Sequence, residues 1–187
     1  MALSTLDPKT ALIIIDLQKG IVSLPMLHPT AEVVQKSVVL AEAFRAHGLP
    51  VVLVNVAGVA PGRTEQPRGN FNFPPDWTDL IPELNQQPTD HTITKYTSGA
   101  FPNTGLEDYL RGHGITQVVI TGVATSNGVE STARQAYEFG FNVTIATDAV
   151  TDRHQDAHDH SLSKIFPRLA ETGTTEDILK LLEQTRA

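Results

Sequence analysis

Asp16 is the first polar residue after the apolar run "LIII", Lys95 closes the short run "HTITK", and "TGVATSNG" (121–128) leaves a third apolar run through a glycine-bearing turn. An acid and an amine at such exits suit proton transfer. Burial raises the pKa of a carboxyl and a neighbouring ammonium lowers it, so the pair can hold Asp16 in the range useful to a general acid or base. An Asp in that place also suits a helix cap or a loop hydrogen bond, and a lone strand-end Lys is commonly solvated. The turn leads into a helix whose first N–H groups and dipole favour an anion or a developing oxyanion. Thr125, Ser126 and Asn127 equally suit the capping of that helix. Position 128, where many α/β enzymes carry a nucleophile on such a turn, is glycine.

For these residues to meet, the runs that carry them must share a sheet. The stretches "ALIIID" (11–16), "PVVLVNV" (50–56), "HTITK" (91–95), "QVVITG" (117–122) and "NVTIAT" (142–147) are short, apolar or β-branched and bounded by turn residues, which predicts five strands. Between them, 30–48 and 128–140 space apolar residues helically and stop at Gly48 and Gly140. Alternating strands and helices predict an open, mostly parallel α/β sheet covered on both faces, as one domain over 1–187. Ligands of such sheets sit outside the carboxyl ends of the strands, where Asp16, Lys95 and the 122–128 turn converge. The segment 56–77 is long and rich in Pro and Gly, a candidate lid or substrate loop. Within it, Arg63 can grip a carboxylate bidentately or stay solvated. Phe71, Phe73 and Trp77 can wall an apolar pocket or pack at a subunit interface.

The 187 residues include 40% hydrophobic residues, enough for one well-buried core, and carry a net charge of -7. With no basic stripe along the chain, nucleic acid is an unfavourable partner. No apolar run reaches the ~20 residues of a membrane span, and the start "MALSTLDPKT" lacks a charged region followed by an apolar one, so a cytoplasmic protein is expected. There is no cysteine, which excludes disulfides, thiolate metal ligands and a cysteine nucleophile.

Asp16 in "DLQKG", Lys95 in "TKYTSGAF" and the stretch "TGVATSNGVESTARQAYEFGFNVTIATDA" resemble the three signature regions of the isochorismatase-like hydrolases, also called the cysteine hydrolase superfamily. The resemblance runs from about residue 10 to 180. It implies a three-layer α/β/α Rossmann-like sandwich, a homo-oligomer and a cis peptide between Val123 and Ala124. Family amidases, nicotinamidase and carbamoylsarcosine amidase among them, place a catalytic cysteine where this chain has Gly128. Nicotinamidases also carry an Asp-x-His metal pattern after the second strand, and "NVAGVAPGR" has neither residue. Some isochorismatases share the glycine. In that branch an Asp protonates the vinyl carbon of an enol ether, and water captures the oxocarbenium ion.

Carried over, the resemblance makes Asp16 the general acid, Lys95 its orienting partner and Gly128 the space for water or substrate. Gln18 would contact substrate or water, with Val123, Ala124, Thr125 and Asn127 beside the substrate. Isochorismate-processing members have "VYAH"-like residues where this chain reads "VATS" (123–126). In "DRHQDAHDH" (152–160), His154 and His158 are four apart, a spacing that suits a metal on a helix. The resemblance places the start of a surface helix there, where such runs are solvated, so neither a metal nor another cofactor is expected.

The expected protein is therefore a hydrolase acting on a small molecule through Asp16, with vinyl-ether hydrolysis as the leading chemistry. Amide or imide hydrolysis by activated water is the enzyme alternative, and a small-molecule-binding oligomer without turnover is the other class. Apolar and aromatic residues in 56–77 exceed what a solvated loop needs, and the resemblance implies an oligomer. Light scattering at micromolar concentration should accordingly report a homodimer or larger; a monomer would contradict that expectation.

Overall fold

The computed structural model describes residues 3–65 and 73–185. The chain runs β1 (Thr10–Ile15), α1 (Lys19–Val22), α2 (Thr30–Ala46), β2 (Val51–Val56), β3 (His91–Lys95), α3 (Leu106–Gly112), β4 (Gln117–Val123), α4 (Glu130–Glu138), β5 (Asn142–Thr151), α5 (Gln155–His160), β6 (Glu171–Gly173) and α6 (Thr175–Gln184). The strands form one sheet in the order β3-β2-β1-β4-β5-β6, and each neighbouring pair is parallel. From β1 the chain builds outward to β2 and β3 on one side and to β4, β5 and β6 on the other. The β1/β4 boundary is thus the topological switch point, where such sheets open a crevice.

Side-chain alternation sorts β1 between two cores. Ala11, Ile13 and Ile15 pack with Leu106 and Leu110 of α3 and Ala133 and Ala136 of α4. Leu12 and Ile14 pack with Leu40 and Phe44 of α2 and Ile178 and Leu182 of α6. Every residue of β1 is buried, because helices cover both sheet faces and no polar alternation survives between them. The three-layer α/β/α sandwich follows from these two clusters.

The five expected strands are present within a few residues of their expected bounds, and α3, β6 and α6 lie beyond that set. The largest difference is β5, which continues to Thr151 rather than ending at 147. The β4–β5 register shifts between Ile120 and Gly122, where β4 advances from Ile120 to Gly122 while β5 advances from Ile145 to Val150. The extra β5 residues bulge, and the strand resumes as Val150 and Thr151 opposite Gly122 and Val123. β5 thereby delivers its last residues at the same edge as β4. No helix among the described residues is long and apolar enough to cross a membrane.

Gly122 makes this edge possible. It sits opposite Ile15 with φ +111°, and a Cβ there would collide with the Ile15 backbone. The next peptide, Val123–Ala124, is cis, as the resemblance implies. Gly122→Ala should therefore destabilise the fold by about 3 kcal/mol or more. Denaturant unfolding measures this, and a loss below about 1 kcal/mol would mean the edge relaxes freely.

Candidate active site

At the exit of β1 the backbone turns sharply, with Asp16 in the left-handed region at φ 54°. Asp tolerates that conformation better than the β-branched residues before it. The turn leaves the Asp16 carboxyl at the sheet edge and returns Leu17 and Gln18 to the interior. Lys95, two strands away at the end of β3, spans roughly 10 Å of sheet and meets it. Its Nζ lies 2.9 Å from Asp16 Oδ2, with both side chains buried, and also donates to the Thr97 carbonyl at 3.2 Å.

Removing Asp16 from water outweighs the pull of Lys95, so its carboxyl is raised to about 6 despite the ion pair. Oδ1 is buried without a protein hydrogen-bond partner among the described residues. One oxygen is thus held by an ammonium, and the other is buried without a partner among the described residues. Both residues line a cleft of about 410 Å³ at the carboxyl ends of the strands.

The opposite side of the cleft comes from the turn after β4. Thr125–Val129 form a single π-type turn that runs directly into α4. Val123, Ala124, Asn127 and Gly128 line the cleft with Asp16 and Lys95. A Cβ built on Gly128 would lie 2.9 Å from Ile15 Cγ2, 3.2 Å from the Val123 carbonyl oxygen and 3.3 Å from Asp16 Oδ2. The glycine therefore sits directly beside the acid. The turn does not present all its donors to the cleft: Asn127 and Val129 N–H bond the Ala124 carbonyl, and Ser126 N–H and Oγ bond Asp152 Oδ2.

Three expected contacts are corrected. Gln18 is fully buried, and its amide is used by backbone: Nε2 donates to the Val56 and Trp77 carbonyls, and Oε1 accepts from Val56 N–H at 2.7 Å. It braces the cleft wall and does not line the cleft. Thr125 is also fully buried, with Oγ1 2.8 Å from His158 Nδ1. Its hydroxyl goes to the core because the π-type turn rotates it away from the ligand side. Arg63 is exposed and is not among the residues that line the cleft.

The aromatic expectation divides. Phe73 and Trp77 stack 3.9 Å apart and line the cleft, whereas Phe71 lies outside the described residues. Trp77 packs where a Cβ on Gly20 would stand, and Gly20 N–H donates to the Trp77 carbonyl. Ile21, Leu24, Met26 and Val59 complete an apolar wall facing the acid.

Reasoning from the sequence missed Arg153, which follows β5 and reaches the cleft, because the strand was expected to end at 147. It expected His158 to be solvated, and His158 is buried. Burial, with His28 nearby, holds the His158 imidazole below its ordinary pKa. His154 faces solvent, so the pair does not share an environment, and the described residues contain no group of three or more metal-ligating side chains.

Residues 10–177 match the Isochorismatase domain family model. The isochorismatase family protein YwoC of Bacillus subtilis (strain 168) is 40% identical over 179 residues, covering 92% of this chain and 93% of that protein. An isochorismatase family protein from Burkholderia thailandensis, of known structure, has a TM-score of 0.92 at 44% identity, covering 96% and 98% of the two chains. The ureidoacrylate amidohydrolase RutB of Pantoea ananatis (strain LMG 20103) is 32% identical over 171 residues, 75% of this chain and 68% of that protein.

The geometry makes the Asp16 titration a direct readout of its partner. Lys95 lowers the Asp16 pKa, so Lys95→Gln should move the midpoint above the wild-type value of about 6. Carbon-detected NMR of the carboxyl group follows it without substrate. A midpoint that falls instead would show that Lys95 does not govern the acid.

Proposed function

The chain belongs to the isochorismatase family of hydrolases, and from that premise we propose that it hydrolyses a small molecule by proton transfer from Asp16, with an enol ether as the reacting group. The observation that carries this reading is the state of Asp16 beside the cleft: a dry carboxyl raised to about 6, with Oδ2 on Lys95 and Oδ1 buried without a partner among the described residues. Such a group holds a transferable proton near neutral pH.

Asp16 delivers its proton to the terminal vinyl carbon, forming a C–H bond at the expense of the C=C bond. The adjacent carbon becomes an oxocarbenium ion, stabilised beside the new carboxylate. Water adds to that carbon and returns a proton to Asp16, and the hemiketal collapses to a ketone and an alcohol. Gly128 brings backbone, with no side chain, against the acid, where a side chain would press on Ile15, the Val123 carbonyl and Asp16. Arg153 at the mouth suits a substrate carboxylate, and the Phe73 and Trp77 wall suits the hydrocarbon part.

A second reading is favoured by the likeness to a ureidoacrylate amidohydrolase. In it, ionised Asp16 activates water toward an amide or imide carbonyl. The two readings demand opposite protonation states.

A panel of enol ethers, amides, imides and esters, assayed with wild type and Asp16→Asn, tests both. A general acid works below its pKa, so enol-ether turnover should be level at acid pH and fall about tenfold per unit above about pH 6. Asp16→Asn should lower kcat by ~10²–10⁴-fold while the protein stays folded. Turnover that rises through pH 6 on an amide would replace the first reading with the second. Activity retained in Asp16→Asn would sink both.

A further inference from the structure

We propose that His158 is a positioning residue for the cleft: through Thr125 it sets the turn that carries Gly128, and through His28 it ties the Leu24 and Met26 wall to the same point. None of His158, Thr125 and His28 lines the cleft, so any effect they have on chemistry must pass through the residues that do.

α5 is otherwise exposed or half-buried, and His158 is its one buried side chain. It points at Thr125, the first residue of the π-type turn, which has no solvent exposure. A buried hydroxyl requires a partner, and among the described residues a ring nitrogen at 2.8 Å is the one it has. Two apolar residues would fill the same space without that directional demand. The polar pair therefore fixes where Thr125 sits, and with it Gly128 three residues on.

The network extends to the other wall. The His28 ring lies 5.1 Å from the His158 ring, its Nδ1 is 3.0 Å from Thr151 Oγ1, and its backbone N–H donates to the same hydroxyl. Leu27 N–H donates to the Asp152 carbonyl at 2.8 Å. Asp152 holds Ser126 with one carboxylate oxygen and the N–H groups of Arg153 and His154 with the other. Beyond α5, Ser161 Oγ donates to Glu130 at the start of α4. The Leu24 and Met26 wall, the Gly128 turn and Arg153 are thus anchored on one polar cluster behind the cleft.

The inference rests on the reading of Asp16 as the reacting acid, but its test requires no substrate. Thr125→Val, nearly isosteric, and His158→Leu each remove the bond; His158→Asn keeps a hydrogen-bonding atom near the Nδ1 position. Two properties of the free protein are followed: the Asp16 midpoint by carboxyl NMR, and hydrogen exchange of amides 124–129. If the turn loosens, water reaches Asp16, so its midpoint should fall from about 6 by roughly half a unit or more toward the ordinary carboxylate range. Exchange across 124–129 should quicken about tenfold or more. The double variant should be no worse than the stronger single one, because both remove one interaction. His158→Asn should stay near wild type.

If Thr125→Val and His158→Leu lower only Tm and leave the midpoint and exchange unchanged, His158 is a packing residue and the proposal is overturned. Additive effects overturn it as well. A substrate panel that finds no turnover would count against the proposed function while leaving these readouts intact.

Discussion

A carboxyl and an ammonium held out of water against each other are the constraint around which this edge is arranged. Burial makes the ionised form of Asp16 expensive, and Lys95 offsets only part of that cost, which leaves the acid near 6. Buried pairs of this kind contribute little net stability, because desolvation consumes the Coulombic gain. The pair is better understood as a protonation device kept dry by its surroundings. Asp16 accepts a left-handed backbone, Leu17 and Gln18 fold back beneath it, and Lys95 reaches across the end of β2.

The sheet order explains why the remaining pieces come to the same place. Asp16 leaves β1 and the Gly128 turn leaves β4 on either side of the switch point, so acid and turn face each other across a crevice that the topology itself opens. Gly122 permits the close approach of β4 to the Ile15 backbone. The far wall is a separate construction. Lys19 pairs with Asp76 and Asp79, and Gln18 holds the Trp77 and Val56 carbonyls, so the Phe73 and Trp77 stack is fastened to the segment that follows the acid. One short stretch, 16–20, therefore supplies the acid and the anchor of the apolar wall.

Asp16, Lys95 and the 122–128 turn were legible in the sequence because each is an abrupt change at the end of an apolar run, and parallel sheets collect such ends on one edge. What was not legible depends on direction or on register. Gln18 stands two residues from the acid, yet its amide is spent on the backbone of Val56 and Trp77, which the folded chain alone brings beside it. Thr147 and Asp148 resemble a strand ending in turn residues. The bulge that carries β5 past them is set by contacts with β4, and Arg153 was overlooked with it. His158 sits in a run of charged and polar residues, and nothing in that run distinguishes the one position that faces inward.

The glycine at 128 completes the physical account. A side chain there would begin 3.3 Å from Asp16 Oδ2 and 2.9 Å from Ile15, so a thiol at this position would share a dry pocket with the acid. Two ionisable groups that close titrate as a coupled pair, and neither has a protonation state of its own. With glycine, no acidic side chain stands beside Asp16 at this position, and burial, offset in part by Lys95, governs its proton. Under the proposed mechanism that difference selects the chemistry. A thiolate beside the acid forms a covalent bond to carbon and needs the acid afterwards, whereas an acid with no nucleophilic side chain beside it must act first, on a bond that protonation alone can weaken. Enol ethers meet that condition, because a proton on carbon converts a stable bond into an oxocarbenium ion that water captures without help from a nucleophilic side chain.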